Sequence, residues 1–146
     1  GTEEEEIRKQ TASYGLADSV IHLKDVPDNL LYEYYALSDI YVSPTLDTGS
    51  IQGVIEAMAC SLPVVSTGQE FWVKDGVNGF IVPKRDPEAI AEAILKVYTG
   101  GHRKQFGEAS RKIAEDYDYR MIAKTVIKKY EGLLESKSNV SQTHSS

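Results

Sequence analysis

A chain of 146 residues, 41% apolar and 26% charged, is long enough for one domain with its own core. Acidic side chains outnumber basic ones 22 to 16, and the formal net charge of -6 argues against broad association with DNA, RNA or an anionic membrane, although local dipoles can still hold a small phosphorylated ligand. The lone cysteine, Cys60, has no disulfide partner, and no run approaches the roughly 18 apolar residues of a membrane span. The start, GTEEEEIRKQ, lacks the basic-then-apolar order of a signal peptide, so a cytoplasmic protein is expected.

The first predicted element is a helix capped by Thr2. Its first turn holds Glu3 to Glu6 near the positive end of the dipole, it carries Glu4–Arg8 and Glu5–Lys9 pairs, and Gly15 ends it. Val20 to Leu23 reads as a short buried strand. Pro27 and Asp28 open a second helix with Leu30, Leu31, Tyr34 and Tyr35 on one face. A strand at Ile40 to Val42 leads through a polar loop into a helix with Ile51, Val54, Ile55 and Met58 inward, then to a strand at Pro63 to Val65. After a short segment at Glu70 to Val73, the turn DGVNG and the strand Phe80 to Val82 follow. Asp86 and Pro87 open the next helix, whose expected stripe is Ile90, Ile94, Val97 and Tyr98, and Gly100 and Gly101 stop it. Two more helices are predicted, near His102 to Asp116 with Phe106 and Ile113 inward, and near Tyr119 to Glu135 with Ile122, Val126, Tyr130 and Leu133. The tail SKSNVSQTHSS has no apolar period and reads as disordered.

Short apolar strands alternating with helices predict an α/β fold, a doubly wound parallel sheet covered on both faces. Ligands of that class bind at the carboxyl ends of the strands, where the loop of Thr48, Gly49 and Ser50 should lie. The free amides of the following helix can hold a phosphate. Gly49 permits close backbone approach, and Glu56, one to two turns in, can accept hydrogen bonds from a diol such as the ribose 2'- and 3'-hydroxyls. The same residues also fit a plain strand-to-helix connection with a solvated or lysine-paired Glu56, and the two readings stand side by side.

The runs IYVSPT, GVIEAMAC, LPVVST, DGVNGFIV and DPEAIAEAI, in this order and spacing, resemble the C-terminal, donor-binding half of family 4 GT-B glycosyltransferases, the glycosyl transferases group 1, over about Gly1 to Leu134. The resemblance implies a Rossmann-like domain over 1–136, without its first two strands, followed by the tail 137–146. It also implies transfer of a sugar from a UDP-, GDP- or ADP-sugar to an acceptor with retention of configuration, in polysaccharide or glycolipid synthesis, with no required metal or further cofactor. The family's motif is two glutamates separated by seven residues. The second, which binds ribose, falls on Glu56, and the backbone of Gly49, Ser50, Ile51, Gln52 and Gly53 is implied to meet donor sugar and pyrophosphate. The first falls on Thr48, which is no carboxylate, with Asp47 adjacent; these two are the candidates for the donor sugar.

Other departures from the family pattern are Ser50 and Ile51 for phenylalanine and glycine, Lys24 and Ser61 for glycines, and Phe71, beside Glu70, for a glutamate. The family's basic Gly-Arg and Lys-Gly segment, its first strands and its acceptor-binding N-terminal domain are not in this chain, which alone is expected to be inactive. Membrane contact, at the inner face, would come through those parts. Two rivals remain: a non-catalytic nucleotide-sugar-binding or scaffold module, and a nucleotide-sugar 2-epimerase.

Asp116, Tyr117 and Asp118 spell Asp-x-Asp but join two helices, where capping is the simpler role. His22, His102, His144 and Cys60 lack metal-ligand spacing, and Asn139-Val140-Ser141 reads as a chance glycosylation match. Tyr34, Tyr35, Tyr41, Tyr98, Tyr117, Tyr119 and Tyr130 follow helical or strand spacing and are expected in the core. Lys84 and Arg85 should lie near the ligand end of the sheet, as solvated charges or as phosphate partners.

Overall fold

The structure is a computed structural model that describes residues 2–46, 51–68 and 71–143. The chain divides into two compact units, Gly1–Leu31 and Tyr32–Ser146. In the first, α1 (Thr2–Ser13) forms as its composition predicts, with Arg8 pairing Glu4 at 3.2 Å and Lys9 pairing Glu5 at 3.1 Å. Gly15 turns the chain at φ 69. The strand expected at Val20 to Leu23 is absent: among the described residues no β-ladder includes this run, and Ile21 is 83% exposed. A strand needs a neighbour to satisfy its amides and carbonyls, and none is paired with this one.

Helix α2 (Asp28–Leu37) opens where Pro27 and Asp28 predict. Its covered row is narrower than expected, since Leu31 and Tyr35 are half-buried while Leu30 and Tyr34 are exposed.

The second unit holds a three-stranded parallel sheet in the order β1 (Tyr41–Ser43), β2 (Val64–Ser66), β3 (Gly79–Ile81), with Val42 opposite Val65 and Val65 opposite Phe80. The first two strands lie one residue later than the sequence suggests and the third one residue earlier. Pro63 stands just outside β2, where its missing N–H costs the ladder nothing while its carbonyl accepts from Tyr41 N at 2.9 Å. Alternation along β2 divides the core. Val64 joins Val54, Met58, Val73 and Ala114 on one face, and Val65 joins Ala93, Val97 and Phe106 on the other. Helix α3 (Ile51–Ala59) covers the first face and α4 (Pro87–Thr99) the second, while α5 (Arg103–Glu115) gives Phe106 to one cluster and Ala114 to the other. The fold is therefore α/β with both faces of a parallel sheet covered, as expected.

Local chemistry sets the ends of these elements. α3 closes in a Schellman motif: Leu62 N donates to Ala57 O at 3.1 Å and Ser61 N to Met58 O at 3.0 Å, with Ser61 at φ 61, the left-handed position that glycine usually fills. Gly79 has no alternative, because a Cβ there would run into the Val64 backbone carbonyl. Asn78, in the DGVNG turn, is fully buried and satisfied: Oδ1 accepts from Lys74 N at 2.7 Å, Nδ2 donates to Trp72 O at 3.3 Å, and its carbonyl accepts from Ser110 Oγ.

Two expected stripes are incomplete. Tyr98 on α4 is exposed, and α6 (Tyr119–Thr143) forms beyond its expected end, yet Ile122, Val126 and Tyr130 are exposed. Among the described residues neither buried cluster includes one from α6. Among the described residues no helix is long and apolar enough to cross a membrane.

Candidate functional site

The site is built where β1 gives way to α3. Thr45 and Leu46 lead out of the strand, and Thr67, just beyond β2, fastens this exit by donating from Oγ1 to the Thr45 carbonyl. Lys84 Nζ donates to Leu46 O at 2.9 Å. Lys84 thus anchors the start of the loop, a role that the sequence did not suggest. Asp47, Thr48, Gly49 and Ser50 lie outside the described residues, as does Glu70.

Helix α3 buries Val54, Ala57 and Met58, which turns Gln52, Ile55, Glu56 and Ala59 to the other side. That side lines a cavity of about 580 Å³, shared with Arg111 and Glu115 of α5 and with Tyr117 and Asp118 beyond it. Gln52 and Glu56 sit one turn apart and face the same space. Ile51, at the first position of α3, is exposed, and Gly53 is half-buried.

Glu56 is half-buried and held at both oxygens. Gln52 Nε2 donates to Oε1 at 2.8 Å, and Tyr35 Oη donates to Oε2 at 3.2 Å. Burial, followed by the Glu56 charge, pushes the Tyr35 hydroxyl far above its ordinary 10.0, and the same two causes raise Tyr41. Burial likewise raises the Cys60 thiol, against the lowering influence of Arg111, so Cys60 stays protonated. Arg111 bridges the helices by donating to the Ala59 carbonyl while its Nε stands 3.6 Å from Glu115.

The tyrosines expected in the core separate into two groups. Tyr35 and Tyr41 meet beside Glu56, and Tyr117 packs with Phe71 and Trp72, but Tyr34, Tyr98, Tyr119 and Tyr130 are exposed. Asp118 caps α6, accepting from Arg120 N at 2.9 Å. His22 and His102 belong to different units, and among the described residues no three His, Cys, Asp or Glu side chains are grouped to hold a metal ion.

The family model described as glycosyl transferases group 1 matches residues 1–100. The chain belongs to this family. Its relatives include a D-inositol 3-phosphate glycosyltransferase of Geodermatophilus obscurus, 29% identical over 140 residues, which span 94% of this chain and 31% of that protein. A phosphatidyl-myo-inositol mannosyltransferase of Mycobacterium leprae is 28% identical over 143 residues, 94% of this chain and 38% of the relative. Among solved structures, sucrose-phosphate synthase from Thermosynechococcus elongatus superposes with a TM-score of 0.81 at 26% identity, covering 93% of this chain and 35% of that one. The fold of this group 1 chain is thus that of GT-B glycosyltransferases. The chain spans about a third of the length of the curated relatives it matches.

Proposed function

We propose that this chain binds the nucleotide diphosphate of a sugar donor, UDP-, GDP- or ADP-linked, for a retaining glycosyltransferase that needs no metal and whose acceptor is held by a separate N-terminal GT-B domain. One observation carries the proposal: Glu56 presents a carboxylate, held at both oxygens, to an open cavity on the helix that follows β1. A carboxylate so held is a bidentate acceptor for ribose hydroxyls. Ile51 to Gly53 form the N-terminal end of α3, the end at which a helix attracts phosphate. Catalysis then consists of placing the donor and stabilising negative charge on the departing nucleotide diphosphate through backbone amides, which needs no side-chain acid. Thr48 or Asp47 would address the donor sugar, and the enzyme would work in the cytoplasm.

Amide NMR of the chain titrated with UDP, GDP and ADP tests this. One nucleotide should shift the Gly49 to Glu56 amides in the parent and leave them unmoved in Glu56→Ala; a well-dispersed spectrum indifferent to all three would refute the proposal. Thr48 in place of the family's first glutamate favours a second reading, a nucleotide-sugar-binding module without catalysis. That version predicts the same shifts but no sugar transfer once the chain is joined to an acceptor-binding domain.

A further inference from the structure

Tyr35 reaches Glu56 across 21 positions of sequence, and its route is well supported. Its ring meets that of Tyr41 edge-on, with centroids 5.9 Å apart and planes at 61°. Tyr41 is the first residue of β1, bonded through its amide to Pro63 and in register with Val64, which is fully buried. The hydroxyl on Glu56 therefore comes from α2 and is braced by the first residue of β1.

Gly53 makes the arrangement possible. A Cβ at this position would stand 2.6 Å from Tyr41 Oη and 3.5 Å from Tyr35 Oη, the first distance closer than side-chain atoms tolerate. The absent side chain leaves room for the Tyr41 hydroxyl, and the Tyr41 ring in turn meets that of Tyr35. An ionised carboxylate offers about four lone-pair sites, two on each oxygen. Among the described residues Tyr35 takes one on Oε2 and Gln52 one on Oε1, which leaves one acceptor site on each oxygen.

We propose that Tyr35 is a positioning residue for Glu56, braced by Tyr41, for whose hydroxyl Gly53 leaves room, and that it orients the carboxylate so that its two remaining acceptor sites address the vicinal hydroxyls of the ribose. This rests on Glu56 being the ribose carboxylate. Because its hydroxyl titrates far above the neutral range, Tyr35 remains a donor at any physiological pH.

The test compares Kd for the nucleoside diphosphate that binds and for its 2'-deoxy counterpart, by calorimetry on the full chain, with inorganic pyrophosphate as the control. The parent should prefer the ribonucleotide about tenfold, on the scale of one charge-assisted hydrogen bond. Tyr35→Phe keeps the ring and should compress the preference to about threefold or less, while pyrophosphate affinity stays unchanged. Gly53→Ala should lose the preference as well, and adding Tyr41→Phe, which removes the colliding hydroxyl, should restore part of it. If Glu56→Ala abolishes the preference but Tyr35→Phe retains it, the positioning role is overturned and the ribose assignment survives. If Glu56→Ala retains the preference, or the parent binds no nucleotide, the ribose assignment falls and the positioning role falls with it. Urea midpoints judge the contact independently of any nucleotide: Tyr35→Phe and Glu56→Ala should shift the midpoint non-additively, and additive shifts would overturn the hydrogen bond itself.

Discussion

Asp86 accepts the Ala89 amide at 2.9 Å at the start of α4, and Asp118 accepts the Arg120 amide at 2.9 Å at the start of α6. Both helices carry an apolar stripe at helical spacing, Ile90, Ile94 and Val97 in one and Ile122, Val126 and Tyr130 in the other. Their surroundings differ: Val97 is fully buried against β2 and α5, whereas Val126 is 45% exposed. A stripe and a cap determine that a helix can form and which side is available for burial. What covers that side is decided elsewhere in the chain, and for α4 it is Val65 and Phe106.

If α4 owes its stability to that cover, the largest effect should come from removing the cover. Phe106→Ala deletes a buried ring that stacks on His102 and meets Phe80 edge-on at 5.4 Å. We expect a loss of about 4 kcal/mol in urea unfolding. A loss under about 1 kcal/mol would mean that the cluster collapses around the gap and that the contrast with α6 is overstated. Asp86→Ala should cost about 1 kcal/mol, the usual value of an N-cap whose helix is otherwise anchored. Val126→Ala on α6 should stay within about 0.5 kcal/mol of the parent, since it uncovers nothing and alanine is the better helix former. A cost above about 2 kcal/mol there would show that the α6 stripe is covered in solution.

The same distinction decides what was legible in the sequence. Val64-Val65 and Val20-Ile21 are indistinguishable as apolar dipeptides, and only the first became a strand, because β1 and β3 flank it. Caps, turns and helix starts at Asp28, Asp86 and Gly100 were readable because their chemistry is local. Glu56 was readable as the one carboxylate of a mostly apolar helix. Its holder was not, since Tyr35 is a tertiary neighbour that pattern reading assigns to a generic core. A faint signal existed in Gly53, three residues before Glu56 on the same helix, where a missing side chain must leave room for something. Asn78 was hidden similarly: a turn residue by composition, it became a buried bracket between Lys74, Trp72 and Ser110.

The smallest expected effect concerns the start of α6, and its sign follows from Asp118. Arg120 donates to this carboxylate from its side chain, at 2.7 Å through Nη2, and from its backbone amide, and these bonds hold the Asp118 pKa down to about 2 from the ordinary 3.8. A lowered folded-state value means that folding favours the charged form. The stabilisation is therefore complete above about pH 4 and fades as the pH falls through about 2. Because pairs at the surface are weak, the change should appear as fraying of the first turn of α6 and not as a shift of the global midpoint. Following the Arg120 amide by NMR between pH 5 and 1.5 should give a midpoint near 2. Arg120→Ala removes the guanidinium but keeps the amide, so the midpoint should rise towards 3.8 without reaching it. A midpoint near 3.8 in the parent would show that the pair does not persist in solution, leaving α6 without the electrostatic half of its start as well as without cover for its stripe.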